Sequence, residues 1–234
     1  HLNSTTSTME EAKQYLEKFE SNVAIVAEEQ TKGRGRRGNK WISTPGNIYC
    51  SVALKNTISL NDFFSFSILT AVSIKITIEQ LGVSEVMFKW PNDMLYKNKK
   101  FGGIIVEYYK SPSNMKYAII GIGINFSSAP FVNNYQTTYI ESFINIDNRN
   151  VFLDSFFNNF FFYWHNYIEQ KTKKQFEKLL PTAQFFHSLE YHVVENGQNV
   201  VDFGGAACPL GLGSTVVDLL SRDGAGWPVR YRAI

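Results

Sequence analysis

The sequence predicts an α+β fold, in which a mixed or antiparallel sheet is covered by helices. Several short apolar runs have the composition of strands and are bounded by Gly, Pro or Asn. Two of these runs are separated by an Asn-Lys pair, as in a β-hairpin, and longer segments carry helix-start signals. Helices mixed with hairpins favour a sheet that helices cover on one face.

The first elements expected are one helix and two strands around a glycine-rich loop. Ser7 and Thr8, followed three residues later by Glu10 and Glu11, form two overlapping capping boxes, so a helix should cover about residues 9–19. The elements expected after this helix are the buried strand Val23–Ala27, a Gly/Arg loop over residues 30–40, and the strand Ile48–Leu54.

The following segment predicts a long helix, a hairpin and further strands. Asp62 can cap an amphipathic helix that ends near Gly82. The other elements expected are the strand Val86–Trp90 ended by Pro91, a hairpin of Met94–Lys97 and Phe101–Tyr109 around the turn Asn98-Lys99, the strand Lys116–Asn125, and helices over about 150–170 and 173–180.

Composition narrows the class of protein. A hydrophobic fraction of 44% is enough for a core, and a net charge of +2 does not demand a nucleic-acid partner. Cys50 and Cys208 lie far apart and make no disulfide framework, which fits a reducing, cytoplasmic setting. There is neither a signal-peptide pattern nor an apolar run of the roughly 18–20 residues that a membrane helix needs, so no membrane partner is expected. The chain begins at His1 rather than Met, which leaves its natural N-terminus open.

The C-terminal composition differs from that of the rest of the chain. Residues 201–234 contain neither Lys nor Asn, although both are frequent earlier, and hold six of the 16 glycines. Such a shift marks either a domain boundary or the joining of two unrelated coding segments.

The string Gly33–Gly38 (G-R-G-R-R-G) is a candidate anion-binding loop. Its three arginines can pair bidentately with phosphate oxygens, and glycines allow backbone N–H groups to approach an anion. Three other interpretations stay open. A strand pattern after the string disfavours a dinucleotide-binding turn. RGG-type RNA-binding tails are repetitive, whereas this string is single. The third is a solvated surface loop.

A second motif joins Lys89–Asp93 (K-W-P-N-D) to Lys100, Gly102 and Gly103. A carboxylate at the strand tip, Asp93, could hold a Mg²⁺ that rides on ATP, because Mg²⁺ usually takes one or two carboxylates plus phosphate oxygens. Lys100 could meet a carboxylate or an α-phosphate. An ordinary hairpin with exposed lysines is the alternative.

A third motif, Gly121–Asn125 (G-I-G-I-N), ends an apolar strand. Alternating glycines either clear room for a flat ligand or relieve close packing of a neighbouring element. Asn125 offers both a donor and an acceptor at the strand end. We find no zinc-spaced His/Cys cluster and no nucleophile–base triad.

Together and in this order, these motifs resemble the biotin–protein ligases, over about residues 2–180. The resemblance implies a catalytic fold related to class II aminoacyl-tRNA synthetases. It also implies two reactions: biotin and ATP, with Mg²⁺, give biotinyl-AMP, and a lysine of a biotin carboxyl carrier protein, of acetyl-CoA carboxylase or a related carboxylase, then takes the biotin. Lipoate ligases share the fold, but the G-R-G-R-R-G and K-W-P-N-D strings favour biotin.

The resemblance also implies roles for individual residues. Catalytic roles fall on Arg34, Lys100 and Asp93, with Asp93 also positioning metal or the attacking lysine. Biotin-binding positions are Ser7, Thr8, Gln30, Gly33, Arg34, Arg36 and Gly103. Adenylate-binding positions are Arg36, Arg37, Trp41, Lys89, Asn92, Lys100 and Asn125, with Trp41 as an apolar wall.

The chain departs from the family pattern in three places. Met9 stands where the family usually has Asn and cannot make the same hydrogen bonds. No DNA-binding helix-turn-helix precedes Leu2, so no DNA partner is expected. Residues 181–234, with the string Cys208–Asp218, resemble a fragment of the threonylcarbamoyl-AMP synthases instead of the ligase β-barrel. The alternatives are therefore a truncated or fused ligase that binds biotin or biotinyl-AMP with little transfer, or a tRNA-modification function of the C-terminal part.

Overall fold

The computed structural model describes residues 1–55, 63–89, 91–146, 148–170, 193–195 and 198–200. Its helices are α1 (Thr8–Phe19), α2 (Phe63–Gln80) and α3 (Arg149–Gln170), with short 3₁₀ turns at Arg36–Gly38 and Ile140–Ser142. Its strands are β1 (Val23–Ala27), β2 (Ile48–Lys55), β3 (Val86–Lys89), β4 (Asp93–Tyr96), β5 (Lys99–Lys110), β6 (Lys116–Ile124), β7 (Val193–Glu195) and β8 (Gln198–Val200).

Strands β1 to β6 form one antiparallel sheet in the order β1-β2-β6-β5-β4-β3, and β7 pairs with β8 in a separate ribbon. The β4–β5 hairpin turns at Lys97 and Asn98, both with positive φ, one residue earlier than the expected Asn98-Lys99 turn. Two such residues match the right-handed twist of the flanking strands, which explains the position of the turn. The expected α+β fold is confirmed.

One face of the sheet carries the main core. Alternate residues of β2 and β6, such as Val52 and Ile120, point into a hydrophobic cluster with α2 and α3. We expected α2 to be amphipathic, and this was wrong, because residues 65–75 are all buried between the sheet and α3. Its polar residues Thr70, Ser73 and Thr77 remain compatible with burial because each donates its hydroxyl to a carbonyl four residues earlier.

The opposite face is covered in part by α1, so helices lie on both faces rather than on one. Met9, Ala12 and Leu16 of α1 pack on Ala53 and Ile119 of the sheet. The glycine-rich ends of β5 and β6 lie beyond this contact on the same face. They form the floor of the candidate site.

The other expected elements occur within one or two residues of the expected bounds. Asp62, Trp90, the helix over 173–180 and residues 201–234 lie outside the described residues. Among the helices that are described, none combines the length and apolar character needed to cross a membrane.

Candidate active site

A cavity of about 480 Å³ lies between the start of α1, the Gly33–Trp41 loop and the floor formed by β5 and β6. This volume is in the range of small-molecule sites. It brings together most of the residues expected from the sequence: Ser7, Thr8, Gln30, Arg34, Arg36, Arg37, Trp41, Asn92, Asp93, Lys100 and Gly103.

One end of the cavity is a polar wall held by Thr8 and Gln30. The Thr8 backbone N–H donates to Gln30 Oε1 at 2.9 Å, and the Thr8 hydroxyl lies 2.7 Å from Ser51 Oγ. Gln30 Nε2 in turn donates to Ser43 Oγ at 3.3 Å. Because Gln30 Oε1 accepts from one of the N–H groups that have no partner within α1, the start of the helix and the loop are fixed to each other.

The indole of Trp41 lies on two glycines in the middle of the floor. Gly103 and Gly123 are direct partners in the β5–β6 register, and a Cβ at either position would come within 3.1 Å or 2.5 Å of the Trp41 ring. Trp41 Nε1 is buried and has no hydrogen-bond partner among the described residues. This N–H lies against Gly123, because a Cβ there would be 2.7 Å from it.

Of the two interpretations of Gly121 and Gly123, the structure supports close packing by neighbouring elements. Met9 covers Gly121, and Trp41 covers Gly123. The glycines therefore make room for two of the protein's own side chains, and both of these line the cavity.

A charged pair occupies the other end. Lys100 Nζ lies 2.7 Å from Asp93 Oδ1, with side chains 14% and 29% exposed. Asp93 Oδ1 nevertheless has no hydrogen-bond partner within the part of the chain that is described. The contact is therefore an ion pair without hydrogen-bond geometry. Lys100 Nζ also lies 5.5 Å from the Trp41 ring and 5.2 Å from the Tyr135 ring, within cation–π range.

The loop arginines have different partners. Arg34 donates to Glu10 at 2.7 Å and to Glu107 at 3.3 Å, so its guanidinium is held by the protein's own carboxylates. Arg36 donates to Asn92 Oδ1 at 3.0 Å. Arg37 has a left-handed backbone, with φ 55°, and its side chain lines the cavity. Arg36 and Arg37, with Lys100, thus surround the cavity with positive charge.

Three expected residues do not line this cavity. Gly33 lies behind Gln30, where a Cβ would be 2.6 Å from the Trp41 carbonyl oxygen. Lys89 ends β3 with an exposed side chain and pairs in register with Asp93. Asn125 is buried and donates to the Thr138 carbonyl at 3.1 Å, so its amide holds the neighbouring chain segment.

Several residues of the site carried no clear signal in the sequence. Lys40 follows the arginine loop and adds another cation to the cavity wall. Tyr135 comes from an irregular segment without periodicity, and only the folded chain brings it to Lys100. Met9 was noted only as a departure from a family pattern, yet it lines the cavity.

The described residues contain no group of three or more His, Cys, Asp or Glu that could hold a metal by themselves. Asp93 alone can supply a carboxylate here, which fits a Mg²⁺ whose other ligands are phosphate oxygens and water.

Cys50 is no nucleophile candidate, because burial raises the pKa of its thiol to about 12.

The family model described as "Biotin/lipoate A/B protein ligase family" matches residues 2–125, more than half of the chain. The chain belongs to this family. The match includes α1, the arginine loop, and strands β1 to β6, and thus most of the cavity wall. The family assignment expected from the sequence motifs is confirmed.

Known ligases share both sequence and fold with this family member. The bifunctional ligase/repressor BirA of Bacillus subtilis is 37% identical over 107 residues, which cover 45% of this chain and 33% of that protein. The biotin protein ligase of Leishmania major in complex with biotinyl-5-AMP has a TM-score of 0.67 at 22% identity, covering 86% of each chain. The Aquifex aeolicus biotin protein ligase in complex with biotin and ATP has a TM-score of 0.66 at 26% identity, covering 82% of this chain and 78% of that one. The sequence match to BirA thus spans about a third of that relative.

Proposed function

We propose that this chain is a biotin–protein ligase, which forms biotinyl-AMP from biotin and ATP and transfers biotin to a lysine of a biotin carboxyl carrier protein. One observation carries the proposal: a single cavity joins the Thr8–Gln30 polar wall to the Lys100–Asp93 pair. A polar but uncharged ring needs a few fixed hydrogen bonds at one end, and a reacting carboxylate and phosphate need positive charge at the other.

In the first reaction, a biotin carboxylate oxygen attacks the α-phosphorus of ATP, and pyrophosphate leaves. Both reactants are anions, so their approach has to be electrostatically supported. Lys100 lies at the charged end of the cavity and can contact both groups, while Arg36, Arg37 and Lys40 line the cavity and can pair with the phosphates. A Mg²⁺ held by Asp93 would neutralise phosphate charge.

In the second reaction, the ammonium of the carrier lysine gives a proton to water, the neutral amine attacks the biotinyl carbonyl, AMP leaves, and the new amide nitrogen loses a second proton to water. The Asp93 carboxylate can orient the incoming ammonium. No enzyme nucleophile is required, which agrees with the buried, inert thiol of Cys50. We expect Trp41 to supply an apolar wall for the adenylate.

The carrier is proposed to belong to acetyl-CoA carboxylase or a related carboxylase, and the activity to lie in the cytoplasm. The widely spaced cysteines support the second point. Adenylate-binding roles are still proposed for Asn125 and Lys89, and a biotin-binding role for Gly33, although none of the three lines the cavity.

The test is incubation of the chain with ATP, Mg²⁺, biotin and a biotin carrier domain, followed by mass spectrometry of the carrier. We expect one biotinyl group on one lysine, and no product when lipoate replaces biotin. ATP-dependent biotinyl-AMP without carrier modification would instead support the alternative of a ligase that binds the adenylate and transfers little. Absence of both products would contradict the proposal.

A further inference from the structure

Met9 forms an apolar wall at the α1 end of the cavity. Its side chain is 3% exposed and lies against Gly121, where a Cβ would be 2.7 Å from the Met9 sulfur. Ile105 approaches the same point at 3.2 Å. Met9 belongs to the hydrophobic cluster beneath α1, and Ile105 packs against it, so the cluster reaches the cavity at these two side chains.

The polar wall begins at the adjacent residue. The Thr8 hydroxyl contacts Gln30 Oε1 at 3.2 Å and Ser51 Oγ at 2.7 Å. Hydrogen-bonding groups thus line one side of this end of the cavity, and a thioether and a methylene surface line the other. The two sides are fixed relative to each other because Thr8 and Met9 are successive residues of one helix.

A ligand that matches both walls must itself be polar on one edge and apolar on the other. The fused ring of biotin has this character, with a ureido edge that forms hydrogen bonds and a thioether edge that does not. A polar atom added to the thioether edge would lose water without gaining a partner, because neither Met9 nor Ile105 can donate a hydrogen bond.

We propose that Met9 is a specificity-determining residue, which contacts the thioether edge of the biotin ring and excludes ligands that are polar there. This inference rests on the proposed function, because it takes biotin as the ligand. It assigns to Met9 the selection between biotin and its sulfoxide, and leaves recognition of the ureido edge to Thr8 and Gln30.

The experiment measures the dissociation constants of biotin and biotin sulfoxide by calorimetry for the unmodified chain and three variants. The unmodified chain should bind the sulfoxide about tenfold to a hundredfold more weakly, since the added polar group is buried unpaired. Met9→Leu keeps an apolar wall and should keep the ratio of the sulfoxide dissociation constant to that of biotin. Met9→Asn supplies an amide donor and should lower the ratio severalfold. Met115→Asn is the matched control, because Met115 packs against the same cluster but does not line the cavity.

Each outcome separates this inference from the function on which it rests. A ratio that Met9→Asn leaves unchanged, or that Met115→Asn lowers equally, overturns the role of Met9 while biotin binding stands. A chain that binds neither compound overturns the proposed function, and the inference falls with it. Thermal melting of each variant shows whether a change in the ratio accompanies loss of the fold, and Met9→Leu still tests the wall if Met9→Asn does not fold.

Discussion

The indole of Trp41 lies directly on Gly123, so close that a Cβ at residue 123 would be 2.5 Å from Trp41 Cε2. Gly103, the register partner of Gly123, lies under the other edge of the ring, where a Cβ would be 3.1 Å from Trp41 Cζ3. Two glycines side by side on neighbouring strands therefore form a seat for one aromatic side chain. The position of Trp41, and with it the end of the arginine loop, depends on the absence of side chains at these two residues.

Gly123→Ala should displace Trp41 from this seat. We expect a loss of about 1–3 kcal/mol in the free energy of unfolding, as for other overpacked sites, together with weaker ATP binding. Urea denaturation measures the first effect and calorimetry the second. If the clash is with the indole, Gly123→Ala should lower the free energy of unfolding much less in a Trp41→Ala background. Losses of unfolding free energy that simply add in the double variant would show that Gly123 does not serve to accommodate the indole.

Lys100→Met keeps the length of the side chain and removes its charge. Adenylation should slow by about 10²–10³-fold, the usual effect of removing one preorganised group that stabilises developing charge. Transfer from supplied biotinyl-AMP should suffer less, because the phosphate bond is already formed. The matched control is Lys99→Met, since Lys99 is exposed and does not line the cavity. Equal losses in both half-reactions would contradict a role specific to adenylation.

Arg34 is tied to Glu10 and Glu107, and Lys13 lies 3.0 Å from both carboxylates. The four charges connect the arginine loop to α1 and β5. Glu107→Gln should therefore shorten the lifetime of bound biotinyl-AMP, and high salt should do the same to the unmodified chain. The effect should be modest, because exposed ion pairs contribute only about 0.2–1 kcal/mol each.

The lifetime of the adenylate can be followed by its release after dilution, at low and high salt. Glu85→Gln is the control, because the Glu85–Lys97 pair lies on the surface away from the cavity. A lifetime that is indifferent to salt and to Glu107→Gln would show that the charge cluster does not hold the loop. Arg34 would then be free for the phosphate-binding role that the sequence suggested.

The sequence predicted much of this architecture because its signals are local. Ser7 lies at the N-cap of α1, close to the expected start, but its side chain makes no capping hydrogen bond, and Gln30 accepts from the Thr8 N–H instead. The apolar runs on either side of the Asn-Lys pair indicated the strands of the β4–β5 hairpin. The partner of Arg34 could not be found in this way, since Glu107 lies 73 residues along the chain. The amide of Asn125 was expected in the site, but the path of the segment after β6 brings the Thr138 carbonyl to it. Long-range contacts of this kind depend on the folded chain rather than on spacing.

The C-terminal resemblance to another family leads to a final prediction. All residues found to line the cavity fall between Ser7 and Tyr135, within the described part of the chain. Residues 201–234 contain neither Lys nor Asn and hold six of the 16 glycines, a composition that costs chain entropy on ordering. We therefore predict that a chain ending at Val200 forms biotinyl-AMP at the same rate as the full chain.

Pyrophosphate release measures this rate for the two chains, and transfer to a carrier domain is measured beside it. Adenylation should not change, because the ligand contacts proposed for it come from α1, the arginine loop and the floor of β5 and β6. Carrier transfer is the more sensitive reaction, since a carrier domain can touch surfaces far from the cavity. Loss of transfer alone would place part of the carrier contact in residues 201–234. Loss of adenylation in a truncated chain that still melts cooperatively would show that the segment contributes to the ligase site itself.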